Sequence, residues 1–225
     1  MKLILNLENF QAKIKIYKTI FKLFRGCFFV YRITYDIIYK NISFVVYTKL
    51  LGGMTTLIIL GIDPGLAIVG YGIIEYKNSK FRVIDYGAVT TPAHMDTLKR
   101  LELVYKGIDM LIKNYNIDEV GIEELFFNKN VKTAITVAQA RGVTMLACAH
   151  NGKPVYEYTP LQVKQGVVGY GRAQKAQVQQ MVTSFLNLKQ VPKPDDVADA
   201  LAVAICHAHA NKLEKTLKNI GGAYV

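Results

Sequence analysis

The chain has no tryptophan, few cysteines and no long apolar run near its start. Cys27, Cys148 and Cys206 are unevenly spaced and form no CxxC pair, so neither a disulfide framework nor a zinc site is indicated. Free thiols are typical of a reducing compartment, which predicts a cytoplasmic protein. Within residues 1–49 the longest uncharged run is Asn41 to Thr48, far below the roughly 20 apolar residues of a membrane-spanning helix. Neither a membrane span nor a secretory signal is therefore expected.

Acidic residues are scarce relative to basic ones. The 225 residues include 28 Lys and Arg but only 17 Asp and Glu, a net charge of +11. Such a balance favours a polyanionic partner. Residues 1–54 hold 9 of the basic and 2 of the acidic residues, a net of +7, which leaves +4 for residues 55–225. With 51% hydrophobic residues, the chain is globular and long enough to bury one sizeable core.

Residues 1–54 form a basic, aromatic-rich extension. The segment is dense in Ile, Lys, Phe, Tyr and Asn, lacks proline, and ends at Met54 just before the first predicted strand. A low-GC coding region read upstream of its true start would give this composition, so we expect a misassigned start and Met54 as the natural initiator. A basic arm on nucleic acid or an interfacial helix is the alternative. A single domain over residues 55–212 and a tail over 213–225 complete the predicted organisation.

Hydrophobic periodicity predicts an α/β fold. Three hairpin-linked strands come first, strands and helices then alternate, and helices end the chain, so the sheet is mixed. The predicted strands are Leu57 to Ile62, Ile68 to Tyr76, Phe81 to Thr90, Val120 to Ile122 and Pro154 to Tyr158, and the first two helices are Thr97 to Tyr115 and Asn130 to His150.

Four carboxylates in three separate blocks suit a divalent metal. Asp63 follows the first strand at a Pro-Gly turn, and Glu123 directly follows the fourth, so both are held at rigid strand ends. Asp196 and Asp199 are three apart at the start of an apolar helix and share one of its faces. Oxygen ligands without a Cys or His cluster favour Mg2+ or Mn2+ over zinc. The four acids are therefore expected to form one metal site.

Each acid also has a purely structural explanation. Asp63 suits the first position of a turn, Asp195 or Asp196 suits a helix N-cap, and Glu123 suits exposed surface. The combination of four is harder to explain in this way.

Four strings in fixed order carry a family resemblance: ILGIDPG with GYGII, IEELFF followed by QARGV, VKQGVVGYGRAQKAQV, and DDVADALAVAICH. From about Leu57 to about Ala210 the chain resembles the RuvC family of Holliday junction resolvases. IDPG alone is weak evidence, but the four blocks together are specific. The resemblance implies an RNase H-like fold, in which a mixed five-stranded sheet is flanked by helices.

The resemblance also implies an endonuclease that resolves four-way junctions in recombination and repair. Two Mg2+ ions about 3.5 to 4 Å apart, replaceable by Mn2+, would activate water and hold the leaving oxygen. Asp63 would be the central ligand, with Glu123, Asp196 and Asp199 around it. Some family members have His at the position of Asp196, so an all-carboxylate site is expected here. A homodimer would make paired symmetric nicks, with RuvA and RuvB as partners.

DNA contacts are implied at four further positions. Lys164 and Lys175 occupy positions that family members use near DNA, and Arg172 adds charge between them. Phe126 occupies the position of an aromatic that stacks on bases, an interaction of roughly 1 to 3 kcal/mol. Solvated surface for the lysines and core packing for Phe126 are the structural alternatives. A flexible loop that approaches phosphate is predicted from three glycines: Gly166, Gly169 and Gly171.

Three other polar residues are not included in the predicted site. Arg141 either pairs locally or binds phosphate. His207 and His209 lie beside a cysteine, but residues two apart point to different sides of a helix, which disfavours a shared metal.

Three other functions are alternatives to a junction resolvase. An actin-like ATPase opens with a similar strand-turn-strand, but it needs a second such domain and a longer chain. A junction-binding module without catalysis is disfavoured by the complete acid set. A nuclease for RNA-DNA hybrids would be distinguished by its substrate preference.

Overall fold

The computed structural model describes residues 56–125 and 131–221, without the side chains of residues 131–133 and 212–221. Within these ranges the chain forms five strands and five helices. The strands are β1 (Leu57–Asp63), β2 (Ile68–Lys77), β3 (Lys80–Thr90), β4 (Glu119–Glu123) and β5 (Val155–Tyr158), and the helices are α1 (Thr97–Tyr115), α2 (Val131–His150), α3 (Pro160–Val168), α4 (Lys175–Phe185) and α5 (Asp195–Gly221).

The strands form one mixed sheet in the order β3-β2-β1-β4-β5. The β1–β2 and β2–β3 pairs are antiparallel hairpins, whereas β4 runs parallel to both β1 and β5. The predicted five-stranded mixed sheet is confirmed. The predicted boundaries shift slightly, because Asp63 and Glu123 are the last residues of their strands and not the first residues beyond them.

Side chains that alternate along β1 divide the core between two layers of helices. Leu60 and Ile62 pack on one face of the sheet with Val104 and Ile108 of α1. Ile59 points to the other face, where the α5 residues form the core with α3 and α4. Because successive strand residues face opposite sides, the residue type at each position of β1 fixes which layer it stabilises.

Glycines let α5 lie unusually close to the sheet. A Cβ atom at Gly61 would lie 2.2 Å from the backbone oxygen of Ala200, and one at Gly70 would lie 2.0 Å from that of Asp196. Any side chain at these positions would push the helix away. The start of α5 is therefore fixed against the ends of β1 and β2 by backbone contact.

Helix α5 is apolar because it is the central buried helix of its layer. From Val197 to Ala208 it consists almost entirely of buried residues, packed between the sheet and the pair α3 and α4. None of the helices in the described ranges is long and apolar enough to cross a lipid bilayer.

Candidate active site

Two of the predicted acids occupy adjacent strand ends and face α5. In the parallel pair of β1 and β4, Ile62 lies opposite Ile122, and both belong to the core on the α1 side. The next residue of each strand, Asp63 or Glu123, therefore points to the α5 side. The carboxyl ends of two parallel strands thus bring both carboxylates to one edge of the sheet.

The first turn of α5 brings the other two acids to the same place. Gly70 is the cross-strand partner of Asp63, and its missing side chain makes room for the backbone of Asp196. Asp199 follows three residues later on the same face of the helix. The close approach of helix and sheet thus places the acid pair of α5 over the end of β1.

The carboxylates act on one another electrostatically. Burial, followed by the charges of Glu123, Asp199 and Asp196, raises the pKa of Asp63 to about 8. Burial and the charge of Asp199 raise the pKa of Glu123 to about 7. Burial also raises the pKa of Asp199. Negative charge is concentrated in a partly desolvated place, which disfavours ionisation unless a cation compensates it.

Basic side chains partly compensate this charge. The Lys175 ammonium at the start of α4 lies 2.9 Å from Asp199 Oδ2 and 3.5 Å from Asp195 Oδ2. Lys164 on α3 is half-buried, and its charge lowers the pKa of Glu123. Arg172 is exposed in the turn between α3 and α4. Two predicted DNA-contacting lysines therefore lie within electrostatic reach of the acids.

The donor set fits a hard divalent cation. All four acids supply oxygen ligands, and two of them lie on rigid strand ends. The raised pKa values of Asp63 and Glu123 show that their ionisation is disfavoured, a cost that a bound cation would offset. In the part of the chain that the structure describes, no three His, Cys, Asp or Glu side chains already have metal-binding spacing. Asp199 is instead turned towards Lys175. Side-chain rotation would therefore accompany metal binding.

The prediction of a glycine loop is wrong at Gly166, the first of the three glycines. Gly166 lies inside α3, where a Cβ atom would be 2.8 Å from Cys206 Sγ, so this glycine serves close packing of α3 on α5. Lys164 is likewise on the helix. Gly169 ends α3 with φ 91°, a conformation that favours glycine, and the loop begins only there. Phe126 lies outside the described residues.

The other polar residues considered in the sequence have structural partners. Arg141 pairs with Glu157 on β5, so it pairs locally. The His207 ring hydrogen-bonds Tyr158, whereas His209 Nδ1 lies 2.8 Å from the backbone oxygen of Gly166. The two histidines point in different directions, as residues two apart on a helix should.

Comparison with known proteins decides the family. The model of the family "Crossover junction endodeoxyribonuclease RuvC" matches residues 59–207. The chain belongs to the RuvC family. A crossover junction endodeoxyribonuclease RuvC of Clostridioides difficile (strain 630) is 90% identical over 169 residues, which cover 75% of this chain and all of the relative. That of Alkaliphilus oremlandii (strain OhILAs) is 64% identical over 162 residues, or 72% of this chain and 99% of the relative.

A solved structure shares the fold. T. thermophilus RuvC in complex with Holliday junction substrate superposes with a TM-score of 0.68 at 33% identity, covering 70% of this chain and 96% of that one. The predicted RNase H-like fold of the RuvC family is thereby confirmed.

Sequence reasoning missed two residues beside the acids. Asp195 was considered only as a helix cap, and Lys193 was not singled out. The structure places the Lys193 ammonium 2.9 Å from Asp195 Oδ1. The signal was present in the nearby opposite charges of Lys-Pro-Asp-Asp, but such a run is common on exposed surfaces.

Proposed function

We propose that this chain is a structure-selective endonuclease that resolves four-way (Holliday) junctions in DNA recombination and repair. Asp63, Glu123, Asp196 and Asp199 would hold Mg2+, with two ions per site and Mn2+ as a substitute. The observation that supports this best is the meeting of four acids from β1, β4 and α5 at one edge of the sheet. Membership of the RuvC family supports a four-way DNA junction as the substrate.

The protein's own groups perform distinct tasks in this reaction. Bound Mg2+ supplies an activated water and neutralises charge on the scissile phosphate. Asp63 and Glu123, fixed at strand ends, set the position of the site relative to the sheet. Asp196 and Asp199 close it from the helix side. Carboxylate oxygens hold the ions, and no side chain needs to form a covalent bond to DNA.

Positive charge beside the acids would receive the DNA backbone. Lys164 and Lys175 lie within electrostatic reach of Glu123, and Arg172 is exposed in the turn between their helices. Lysines that neutralise phosphates supply affinity without base specificity, and this affinity falls with salt. Phe126 is proposed to stack on a base at the junction centre.

The active form is proposed to be a homodimer in the cytoplasm. A two-fold enzyme presents two equal sites to the two opposed strands of a four-way junction, so symmetric subunits give symmetric nicks. RuvA and RuvB, the branch-migration proteins, are its proposed partners.

A cleavage assay on one gel tests the proposal. A synthetic four-way junction, a linear duplex and an RNA-DNA hybrid are compared with Mg2+ and with chelator. We expect Mg2+-dependent paired nicks confined to the junction. Cutting of the hybrid alone would make the chain a different RNase H-like nuclease, and binding without cutting would make it a junction-binding module.

Asp63→Asn identifies the proposed centre. The substitution keeps the shape of the side chain but removes its charge, so folding and junction binding should persist while cleavage is lost. Glu102→Gln on α1 is the control, because Glu102 is an exposed acid paired with Lys106. Full cleavage by Asp63→Asn would contradict the assignment.

A further inference from the structure

One ammonium group lies between two carboxylates at the start of α5. Lys175 Nζ is 2.9 Å from Asp199 Oδ2 and 3.5 Å from Asp195 Oδ2. The two aspartates are four residues apart, so they occupy the same face of the helix one turn from each other. Lys193 lies 2.9 Å from the other oxygen of Asp195. The ion pairs therefore connect four groups in order from the exposed surface to the proposed metal site: Lys193, Asp195, Lys175 and Asp199.

The two aspartates differ in their surroundings. The side chain of Asp199 is 29% exposed and that of Asp195 is 46% exposed. Asp195 pairs with both Lys193 and Lys175, whereas Asp199 pairs with Lys175. Asp199, the less exposed of the two, therefore belongs to the acid cluster, and Asp195 is an ion-paired carboxylate at its outer edge.

Metal binding at Asp199 would disturb the Lys175 contact. A divalent cation and an ammonium group compete for the same carboxylate oxygens, and the two cations repel each other. A lysine released to solvent would regain side-chain freedom. It would then no longer hold its charge beside the acids. Asp195 lies one turn away and is already within ion-pair distance of Lys175, so it would keep the lysine from leaving the acids.

We propose that Asp195 is a positioning residue that retains Lys175 beside the active centre when a divalent metal occupies Asp199. This inference rests on the proposed metal site. Lys193 holds the second oxygen of Asp195 and so keeps the first oxygen aimed at Lys175. Lys175 then shifts its hydrogen bond by one helical turn instead of leaving the site. Its positive charge stays where the backbone of a bound strand would pass.

The test measures the chemical reactivity of Lys175 in the full-length protein. An amine-acylating reagent is added with and without Mg2+, and modification is quantified by mass spectrometry. In the wild type, Mg2+ should leave the acylation rate of Lys175 nearly unchanged. In Asp195→Asn, Mg2+ should raise it about two- to fivefold, the factor that an exposed ion pair contributes. Lys106, paired with Glu102 at 2.5 Å on α1, is the internal reference.

Two further variants separate positioning from a general effect of charge. Asp195→Glu keeps the anion and should restore the wild-type response to Mg2+. Lys193→Met loosens Asp195 without removing it and should give a smaller rise than Asp195→Asn. An equal rise in the wild type and Asp195→Asn would overturn the inference. So would the absence of a rise in Asp195→Asn, or a failure of Asp195→Glu to restore the wild-type response.

Calorimetric titration of the same samples with Mg2+ keeps the two proposals apart. If Mg2+ binds and Asp63→Asn abolishes cleavage, but the Lys175 responses are equal, only the role of Asp195 fails. If the wild type binds no Mg2+, the metal site itself fails, and with it the role of Asp195.

Discussion

Strand β4 carries a glutamate at each end, and the two have opposite surroundings. At its first residue, Glu119 Oε2 accepts hydrogen bonds from His207 Nε2 at 2.7 Å and Asn211 Nδ2 at 2.6 Å. At its last residue, burial and then the charge of Asp199 raise the pKa of Glu123 to about 7. One carboxylate is stabilised by hydrogen bonds, whereas ionisation of the other is disfavoured by burial and a nearby acid.

The difference separates an acid with a structural role from one of the proposed metal ligands. The ring of His207 is buried, its centroid lies 4.6 Å from that of the tilted Tyr156 ring, and it hydrogen-bonds Tyr158 at 2.6 Å. With Nε2 donating to Glu119, Nδ1 accepts from the tyrosine hydroxyl, so every polar atom of the ring is used. At the Glu123 end a carboxylate is partly buried near another acid. Such an arrangement lowers stability and is typical of a site selected for activity.

The sharpest test of this contrast exchanges each glutamate for glutamine. Glu123→Gln should reduce cleavage of a saturating four-way junction by about 100-fold or more, the order of loss expected when a group that stabilises the transition state is removed. Glu119→Gln should cleave within about twofold of the wild type, because it lies outside the proposed centre. Single-turnover cleavage at a permissive temperature measures both. Equal losses in the two variants would end the distinction.

Gly70→Ala should damage the acid end through the backbone. The new Cβ atom would lie 2.0 Å from the backbone oxygen of Asp196, so the start of α5 must move. We expect a loss of stability of about 1 to 3 kcal/mol, as for other overpacked cores. A fall in cleavage beyond that explained by unfolding should accompany it. Urea unfolding and cleavage assays measure the two effects.

Gly142→Ala is the matched control for that substitution. Gly142 lies in α2, where an added Cβ atom would meet nothing within 4 Å. Alanine should stabilise a helix there by up to about 1 kcal/mol. Similar destabilisation by both alanines would show that close approach of α5 is not what Gly70 provides.

His207→Ala should weaken the opposite end while sparing the chemistry. It leaves Glu119 and Tyr158 without their shared partner and opens a cavity in the core, at a cost of about 2 kcal/mol or more. Cleavage per folded molecule should remain near that of the wild type. Thermal unfolding and active-site titration measure the two quantities, and a selective loss of cleavage would place His207 in the functional machinery.

The sequence was informative where several residues formed one pattern through their spacing. The acids at strand ends and the helical pair of Asp196 and Asp199 could be recognised from spacing, as could the mixed sheet. The close approach of α5 could not, because Gly70 acts through a contact between residues far apart in sequence. Gly166 was misassigned for the same reason, since a glycine that permits helix packing looks like a loop glycine when read alone.

The metal-free protein should lose stability as pH rises through the range in which the buried acids ionise. The pKa of Asp63 rises from 3.8 to about 8 and that of Glu123 from 4.5 to about 7 on folding. Between these values the folded state binds more protons at the two acids than the unfolded state, so their contribution to stability is fully present below about pH 4 and is lost towards pH 8. Urea unfolding in chelator at several pH values measures the slope.

A variant at the Glu123 end of β4 locates the origin of that slope. Glu123→Gln should flatten the fall in stability, because one of the two groups that release protons late has been removed. Mg2+ should restore stability near pH 8 in the wild type, because a ligand that binds only the folded state stabilises it. A wild-type stability that rises between about pH 5 and pH 8 without metal would contradict the raised pKa values of Asp63 and Glu123.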